Sequence, residues 1–359
     1  MIDLLPLEKL GLNKEHLEKI DPEKLYGFQL GRVISINKNS CIISNGKKEI
    51  FSELSGKFLF NAETSLDFPA VGDWVYIELF NDESFAVIHE IFPRKSLLKR
   101  KSAGKNIDYQ LIAANIDTAM IMQSADSNYN LRRLERYLSV ITESNMLPAV
   151  LLSKSDLAEH GDLEKMIAGI HEILPDIEVI PFSNNSSSDL EMLPKVFTPE
   201  KTFCLIGSSG VGKTTLINNL LQEEKFKTQA IREKDGRGKH TTSRRELIIL
   251  RNGAIIIDNP GMRELGLISI ESGITETFNE FTELSAECRF NDCTHTVEDG
   301  CAILDALEKG IVSKERYLNY RKMQKESLFN AMSYIEKRQR DKKFGKYIRS
   351  VLKHKRDKR

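Results

Sequence analysis

The chain of 359 residues balances 52 Lys+Arg against 52 Asp+Glu and holds 40% hydrophobic residues and five cysteines. That length exceeds one ordinary domain, so two or three are expected, with the composition of a soluble globular protein. No apolar run reaches the roughly 18 residues of a bilayer span, and residues 1–10 hold Asp3 and Glu8 in place of a basic-then-apolar signal; a cytoplasmic protein with no membrane partner is expected.

Residues 1–27 read as an N-terminal extension with one short helical pattern, Asn13 standing as its N-cap. From 28 to 95 the texture changes to short strand-like runs, Gln29–Ile36, Cys41–Ser44, Glu49–Leu54, 74–79 and Phe85–Ile91. Turn signals divide them, among them Asn45-Gly46, Ser55-Gly56 and Asn81-Asp82. Five short strands fit a small barrel such as an OB-fold, and an SH3-like barrel fits the same pattern. A basic stretch follows: Arg94, Lys95, Lys99, Arg100, Lys101 and Lys105.

Between 106 and 270 strands and helices alternate. Strands are expected at 118–122, 148–152, 178–181, 202–206, 246–250 and 254–257, and helices at 131–143, 163–173 and from 214 to 221, with a polar loop at 183–189. Such alternation argues for an α/β domain, a mostly parallel sheet with helices on both faces. Residues 271–336 turn helical and polar, with Ser313 capping a helix from Lys314 toward Arg338. The tail 337–359 holds twelve Lys or Arg against Asp341 and Asp357, a net of +10, which leaves −10 on the rest of a neutral chain. It reads either as a contact for a polyanion such as nucleic acid or as a solubilising segment.

The segment from Gly207 to Thr214, G-S-S-G-V-G-K-T, matches the phosphate-binding pattern G-x-x-x-x-G-K-[ST]. An apolar strand precedes it, and Leu216, Ile217, Leu220 and Leu221 follow at helical spacing. In such a loop the amides of Gly207, Ser208, Ser209, Gly210, Val211 and Gly212 converge on phosphate oxygens, and the following helix N-terminus favours the anion. Lys213 is expected on the β- and γ-phosphates of a nucleotide, Thr214 on Mg²⁺, and Thr215 within the same turn. Asp258, at the end of an apolar run, is expected to hold Mg²⁺ through water, and the Gly261 amide to sense the γ-phosphate. Between them lies Gly236-Arg-Gly-Lys-His-Thr-Thr242, a basic loop in which Thr241 or Thr242 can close on the metal.

Ser153, Lys154 and Asp156 stand where a guanine-reading Asn-Lys-x-Asp motif would. Asp156 can accept both the ring N–H and the exocyclic amine of guanine, a donor pair adenine lacks, and the Lys154 stem can lie on the base plane. Ser replaces Asn at the first position, and a shorter side chain should support the loop less well. Phe182-Ser183-Asn184 stands where a second base-contacting loop is expected. The base-reading motif precedes the phosphate loop, the reverse of ordinary GTPases. Cutting a doubly wound sheet at one loop and joining its old termini gives this order. Further on, Cys288, Cys293, His295 and Cys301 supply three thiolates and an imidazole, a complete set for a structural zinc with no open position. Cys41 and Cys204 sit in apolar runs, as buried free thiols do.

On these motifs, with Arg94-Lys-Ser-Leu-Leu-Lys-Arg-Lys101, Ala114-Asn-Ile-Asp117, Gly238-Lys-His-Thr-Thr242 and Asp258-Asn-Pro-Gly-Met-Arg-Glu264, the chain resembles the circularly permuted GTPases known as ribosome small subunit-dependent GTPase A (RsgA, also YjeQ or YloQ), over about residues 28 to 325. The resemblance implies a multidomain chain: an OB-fold barrel, a permuted P-loop GTPase and an α-helical zinc-binding C-terminal domain. It also implies a role in late maturation of the small (30S) ribosomal subunit, with GTP hydrolysis stimulated by that particle and contacts to its rRNA. A monomer is expected. Met262 follows Gly261, where many GTPases keep a water-orienting Gln; a thioether cannot orient water, and His240 is the candidate to do so. The competing reading is an RNA-binding assembly chaperone whose nucleotide domain does not hydrolyse.

Overall fold

The computed structural model describes residues 5–37, 40–102, 109–159, 161–223, 226, 245–258, 270–332, 335–340 and 342. The chain divides into two units, Met1–Lys99 with Leu111–Leu265, and Arg100–Gln110 with Gly266–Arg359.

The first unit opens with two short helices, α1 (Leu5–Glu8) and α2 (Lys14–Glu18); Asn13 caps α2 by accepting from the His16 amide. Then come β1 (Gln29–Ile36), β2 (Cys41–Ser44), β3 (Glu49–Leu54), α3 (Gly56–Asn61), β4 (Trp74–Phe80) and β5 (Phe85–Ile91). The strands close in the order β1-β2-β3-β5-β4 and back to β1. The β3–β5 pair is parallel. No hairpin can make a parallel pair, so the chain crosses over through α3 and β4. That closure is the five-stranded Greek-key barrel of the OB-fold. Its interior is Val33, Ile43, Ile50, Val75, Ile77 and Ile88. Residues expected to be a mere extension pack on it, because Leu7, Leu10 and Leu12 bury against Leu30, Trp74, Tyr76 and Phe92.

A two-stranded ribbon, β6 (Leu97–Lys101) with β7 (Tyr109–Ala114), follows the barrel. The nucleotide-binding fold then runs β8 (Thr118–Ser124), α4 (Leu131–Glu143), β9 (Leu147–Ser153), α5 (Asp162–Ile173), β10 (Val179–Phe182), α6 (Ser187–Val196), β11 (Thr202–Gly207), α7 (Lys213–Leu221), β12 (Glu246–Ile249) and β13 (Ile255–Asp258). Its strand order is β10-β9-β8-β11-β13-β12. All neighbours are parallel except β12 with β13. Those two are joined by a tight turn closed by a Gly253 N–H to Leu250 O bond, which leaves room only for an antiparallel pair. The polar run expected as a loop at 183–189 is loop as far as Ser186, which caps α6 by accepting from the Asp189 amide; only Ser187, Ser188 and Asp189, read as loop, are instead its first turn.

Arg32, on β1, is 1% exposed. Its guanidinium donates to the carbonyls of Leu10, Gly72 and Asn115 and, at 2.9 Å, to the Thr202 hydroxyl. The cation therefore joins the N-terminal helices, the barrel and the start of β11. Burial lowers its pKa to about 10, opposed by Asp117 and Asp73, so it stays charged at neutral pH. A single bridge, Ser35 to Glu246, also links β1 to β12. Two residues of the basic stretch serve this junction: Arg94 makes a bidentate pair with the buried Asp73 at 2.7 and 2.8 Å, and Lys95 pairs with Asp117. The buried Asp73 and the half-buried Asp117 thus hold both cations at the junction.

The second unit contains α8 (Glu271–Thr277), α9 (Asn279–Ala286), α10 (Ala302–Glu308) and α11 (Lys314–Ala331), the last capped by Ser313 as expected. Phe281 stacks on Tyr320 at 4.8 Å, and Arg316 ties α11 to Glu280 and to Thr277 O. Among the described residues no helix is long and apolar enough to cross a membrane.

Replacing Arg32 by Met strands three buried carbonyls and a hydroxyl. We expect urea unfolding of the intact chain to lose about 3 kcal/mol, with Lys recovering only part because one ammonium cannot replace a planar fork.

Candidate functional site

Five parallel strands end on one edge of the sheet, and the loops leaving their carboxyl ends converge there, as ligand sites in open α/β sheets do. At the centre is the turn from β11 into α7. Gly207 passes so close to β8 that a Cβ would lie 2.5 Å from Met122 O. Gly212 takes φ +97° and faces the Asn184 amide, where a Cβ would sit at 2.9 Å. The turn therefore demands glycine at both positions. Val211 is fully buried and anchors the loop in the core beneath, while Ser209 and Gly210 are exposed. The Lys213 ammonium donates to Gly207 O and Ser208 O, both at 2.7 Å, which places it over the cradle of amides. Thr214 and Thr215 occupy the first turn of α7. Asp258 ends β13, the strand beside β11.

The loop after β9 brings Ser153, Lys154 and Asp156, the residues expected to read a base, to the same edge. Ser153 is fully buried, and its hydroxyl donates to Val211 O at 2.7 Å and lies 3.1 Å from Gln123 O. The short hydroxyl reaches the phosphate loop directly because the two loops approach closely. Lys154 adopts a left-handed φ of 58° and pairs with Asp126 at 2.8 Å. Burial pushes the Asp126 carboxyl up, but Lys154, the Ser124 hydroxyl and the Asn128 amide outweigh it and hold it low. Asp156 is exposed, with the Ser183 hydroxyl beside it and the Asn185 amide at 3.4 Å, and these lower its pKa. The Ser183-Asn184 loop thus stands next to Asp156, and Asn184 also accepts from Asn219 on α7 at 3.1 Å.

Asp126 and Asn128 were missed in the sequence. The strand expected at 118–122 runs on to Ser124, so its terminal Ser124-Ala125-Asp126 turn belongs to the site, and the Asn128 amide donates to the Ser208 hydroxyl at 3.0 Å. His240, Thr241, Thr242 and Gly261 lie outside the described residues.

In the second unit Cys288, Cys293, His295 and Cys301 bring their ligand atoms within 4.8 Å of one another, a group able to hold a metal ion. His295 Nδ1 lies 3.5 Å from both Cys288 Sγ and Cys301 Sγ, and those sulfurs are 4.0 Å apart. Tetrahedral zinc bonds set edges of about 3.8 Å for S–S and 3.6 Å for S–N, so the donor set fits such an ion. The Glu298 carboxylate accepts from the Thr294, Thr296 and Val297 amides and fixes the loop that carries His295. Cys41 and Cys204 stay apart as buried thiols, raised by burial to about 11 and 12.

The profile of the RsgA GTPase family matches residues 91–268. A Vibrio parahaemolyticus protein named small ribosomal subunit biogenesis GTPase RsgA 2 is 34% identical over 351 residues, covering 98% of this chain and 94% of that one. A relative of the same name from Lactiplantibacillus plantarum is 39% identical over 313 residues, 87% of each chain. Among solved structures, YjeQ from Thermotoga maritima superposes with a TM-score of 0.61 at 25% identity, covering 84% of this chain and 99% of that one. YloQ, described as a circularly permuted GTPase, gives 0.59 at 25% identity over 84% and 95%. With a relative 34% identical over 98% of the chain, and the phosphate loop, helix and barrel in place, the chain belongs to the RsgA family of GTPases.

Proposed function

We propose that this chain binds the small (30S) ribosomal subunit in the cytoplasm, acts in its late maturation, and hydrolyses GTP to GDP and phosphate under stimulation by that particle. The observation that carries the reading is the Ser153 hydroxyl bound to Val211 O, which joins a guanine-reading loop to a phosphate cradle in one rigid pocket. The names of its relatives, small ribosomal subunit biogenesis GTPases, supply the partner.

The backbone amides of 207–212 would hold the phosphates, Lys213 would neutralise charge gathering on the β- and γ-oxygens, and Asp156 would accept both guanine donors. Thr214, with Asp258 through water, would hold Mg²⁺, whose charge would offset that gathering on the phosphate oxygens. Thr241 or Thr242 and the Gly261 amide would complete the γ-phosphate contacts, and His240 would orient the attacking water in place of a Gln. Cys288, Cys293, His295 and Cys301 would hold one structural zinc. The barrel at 28–95, the remaining lysines and arginines of 97–105 and the tail 337–359 would face rRNA phosphates. The GTPase domain spans 106–270, the zinc domain 271–336, and the chain works as a monomer.

GTP turnover of the wild type should rise when purified small subunits are added. Lys213→Ala should lower turnover on the particle by about a hundredfold. Equal turnover with and without the particle would remove the ribosomal role, and no turnover in either case would favour a non-hydrolysing assembly chaperone. Ser153→Ala leaves the Val211 carbonyl without its donor, so affinity for a fluorescent GDP analogue should fall about tenfold, read by titration. Cys301→Ser should lose its bound zinc by elemental analysis and lower the thermal stability of the helical unit while leaving GDP affinity unchanged.

A further inference from the structure

On the outer face of the barrel, three phenylalanines stand in one register row across three strands. Phe51 on β3 pairs with Phe85 on β5, and Phe85 pairs with Phe80 on β4. The ring centroids are 6.2 and 6.3 Å apart. Phe51 is 45% exposed and Phe80 40%. Burying an apolar row is the usual reason to build one, and this row faces outward from a barrel whose core is complete without it. The next row toward the other end of the same strands is Glu53, Val87 and Glu78. Glu49 precedes Phe51 on the same face of β3, and Asp82 and Glu83 follow Phe80 in the β4–β5 turn. Lys47 and Lys48 border the patch; Lys48 pairs with Glu83 at 3.1 Å and donates to Asp82 O, so that pair offsets itself, and Glu78 lies 3.1 Å from His89 Nε2, while Glu49, Glu53 and Asp82 add negative charge.

Aromatic faces attract nucleic-acid bases and guanidinium groups alike. The carboxylates decide between them: a row of Glu beside the rings repels a phosphate backbone and attracts a cation. The spacing agrees with an extended peptide. Alternate side chains on one face of a strand repeat at about 6.6 Å, close to the ring separations. An arginine on each of two successive outward positions would lay its planar group on neighbouring rings and reach the Glu53 and Glu78 carboxylates one row away. We propose that this face of the barrel docks an extended, arginine-rich protein segment, by ring stacking and carboxylate pairing together. The site is separate from the nucleotide pocket and from any rRNA contact made elsewhere on the chain.

The test uses the full chain and a fluorescein-labelled Arg-Gly repeat of twelve residues, read by anisotropy, against the matching Lys-Gly repeat and a twelve-nucleotide single-stranded RNA. The Arg repeat should bind at least about fivefold tighter than the Lys repeat. Phe80→Ser should weaken Arg-repeat binding about three- to fivefold, and the double variant Glu53→Gln, Glu78→Gln should weaken it similarly and flatten its salt dependence. Basal GTP turnover should not change in either. If Phe80→Ser disturbs folding, the glutamine pair alone decides, since it removes charge from exposed positions. Three results would overturn the assignment: Arg-repeat affinity unchanged in the variants; RNA affinity lost in Phe80→Ser while peptide affinity persists; or a dimer in the wild type that Phe80→Ser dissolves without affecting the peptide, which would make the face a contact between copies.

Discussion

The Arg32 guanidinium, buried where the N-terminal helices, the barrel and the nucleotide-binding sheet meet, sets the geometry of the first unit. An unpaired cation in such a place is costly, and this one is tolerable because four protein oxygens surround it and Asp117 and Asp73 lie near enough to favour its charge. Each of those oxygens comes from a different part of the fold. The barrel cannot shift against β11 without breaking a bond to Thr202, nor can α1 lift without exposing Leu10 O. The same strand, β11, leads into the phosphate loop five residues later. A contact made by the barrel is therefore mechanically close to the nucleotide pocket, through one strand and one buried charge.

The pocket itself follows from parallel strands. Because β8, β9, β10, β11 and β13 run the same way, the loops after them meet at one edge whatever their order in the chain. This is why a permuted motif order preserves the site: Ser153 precedes Val211 by 58 positions, yet their atoms touch. Permutation also places Asp258 just ahead, in the chain, of the segment that carries the cysteine cluster. In that segment Phe278, Phe281 and Tyr320 stack while Ile274, Ile303, Ala306 and Met323 are also buried. The cysteine cluster lies in the loop between α9 and α10, where no regular secondary structure holds the chain.

The outward phenylalanine row shows that the barrel has more than one kind of surface. Its interior closes with aliphatic residues, its flank is covered by α1 and α2, and one outer face joins aromatic rings to carboxylates. An OB-fold is commonly taken as a nucleic-acid reader, yet fold alone does not dictate the ligand. Local charge decides, and on this face it is negative.

Periodicity and motif spacing determined the strand runs of the barrel, the helix Leu131–Glu143, the phosphate loop and the Cys/His group, since each is written in residues near one another in the chain. Turn residues and caps are local too, which is why Asn13 and Ser313 were readable. Other features depend on residues distant in sequence. Whether the five strands made an OB-fold or an SH3-like barrel rested on the parallel β3–β5 pair, which no local pattern encodes. The serines at 186–188 read as loop because a cap and a loop share composition, and only the packing of α6 separates them. Arg94 and Lys95 read only as the start of a basic stretch until Asp73 and Asp117 were brought beside them. That the Ser153 hydroxyl bonds the phosphate loop became visible only when the fold set a carbonyl oxygen 2.7 Å from it. Charge and hydrogen-bond partners are chosen in three dimensions, and a one-dimensional pattern carries the donors without their acceptors.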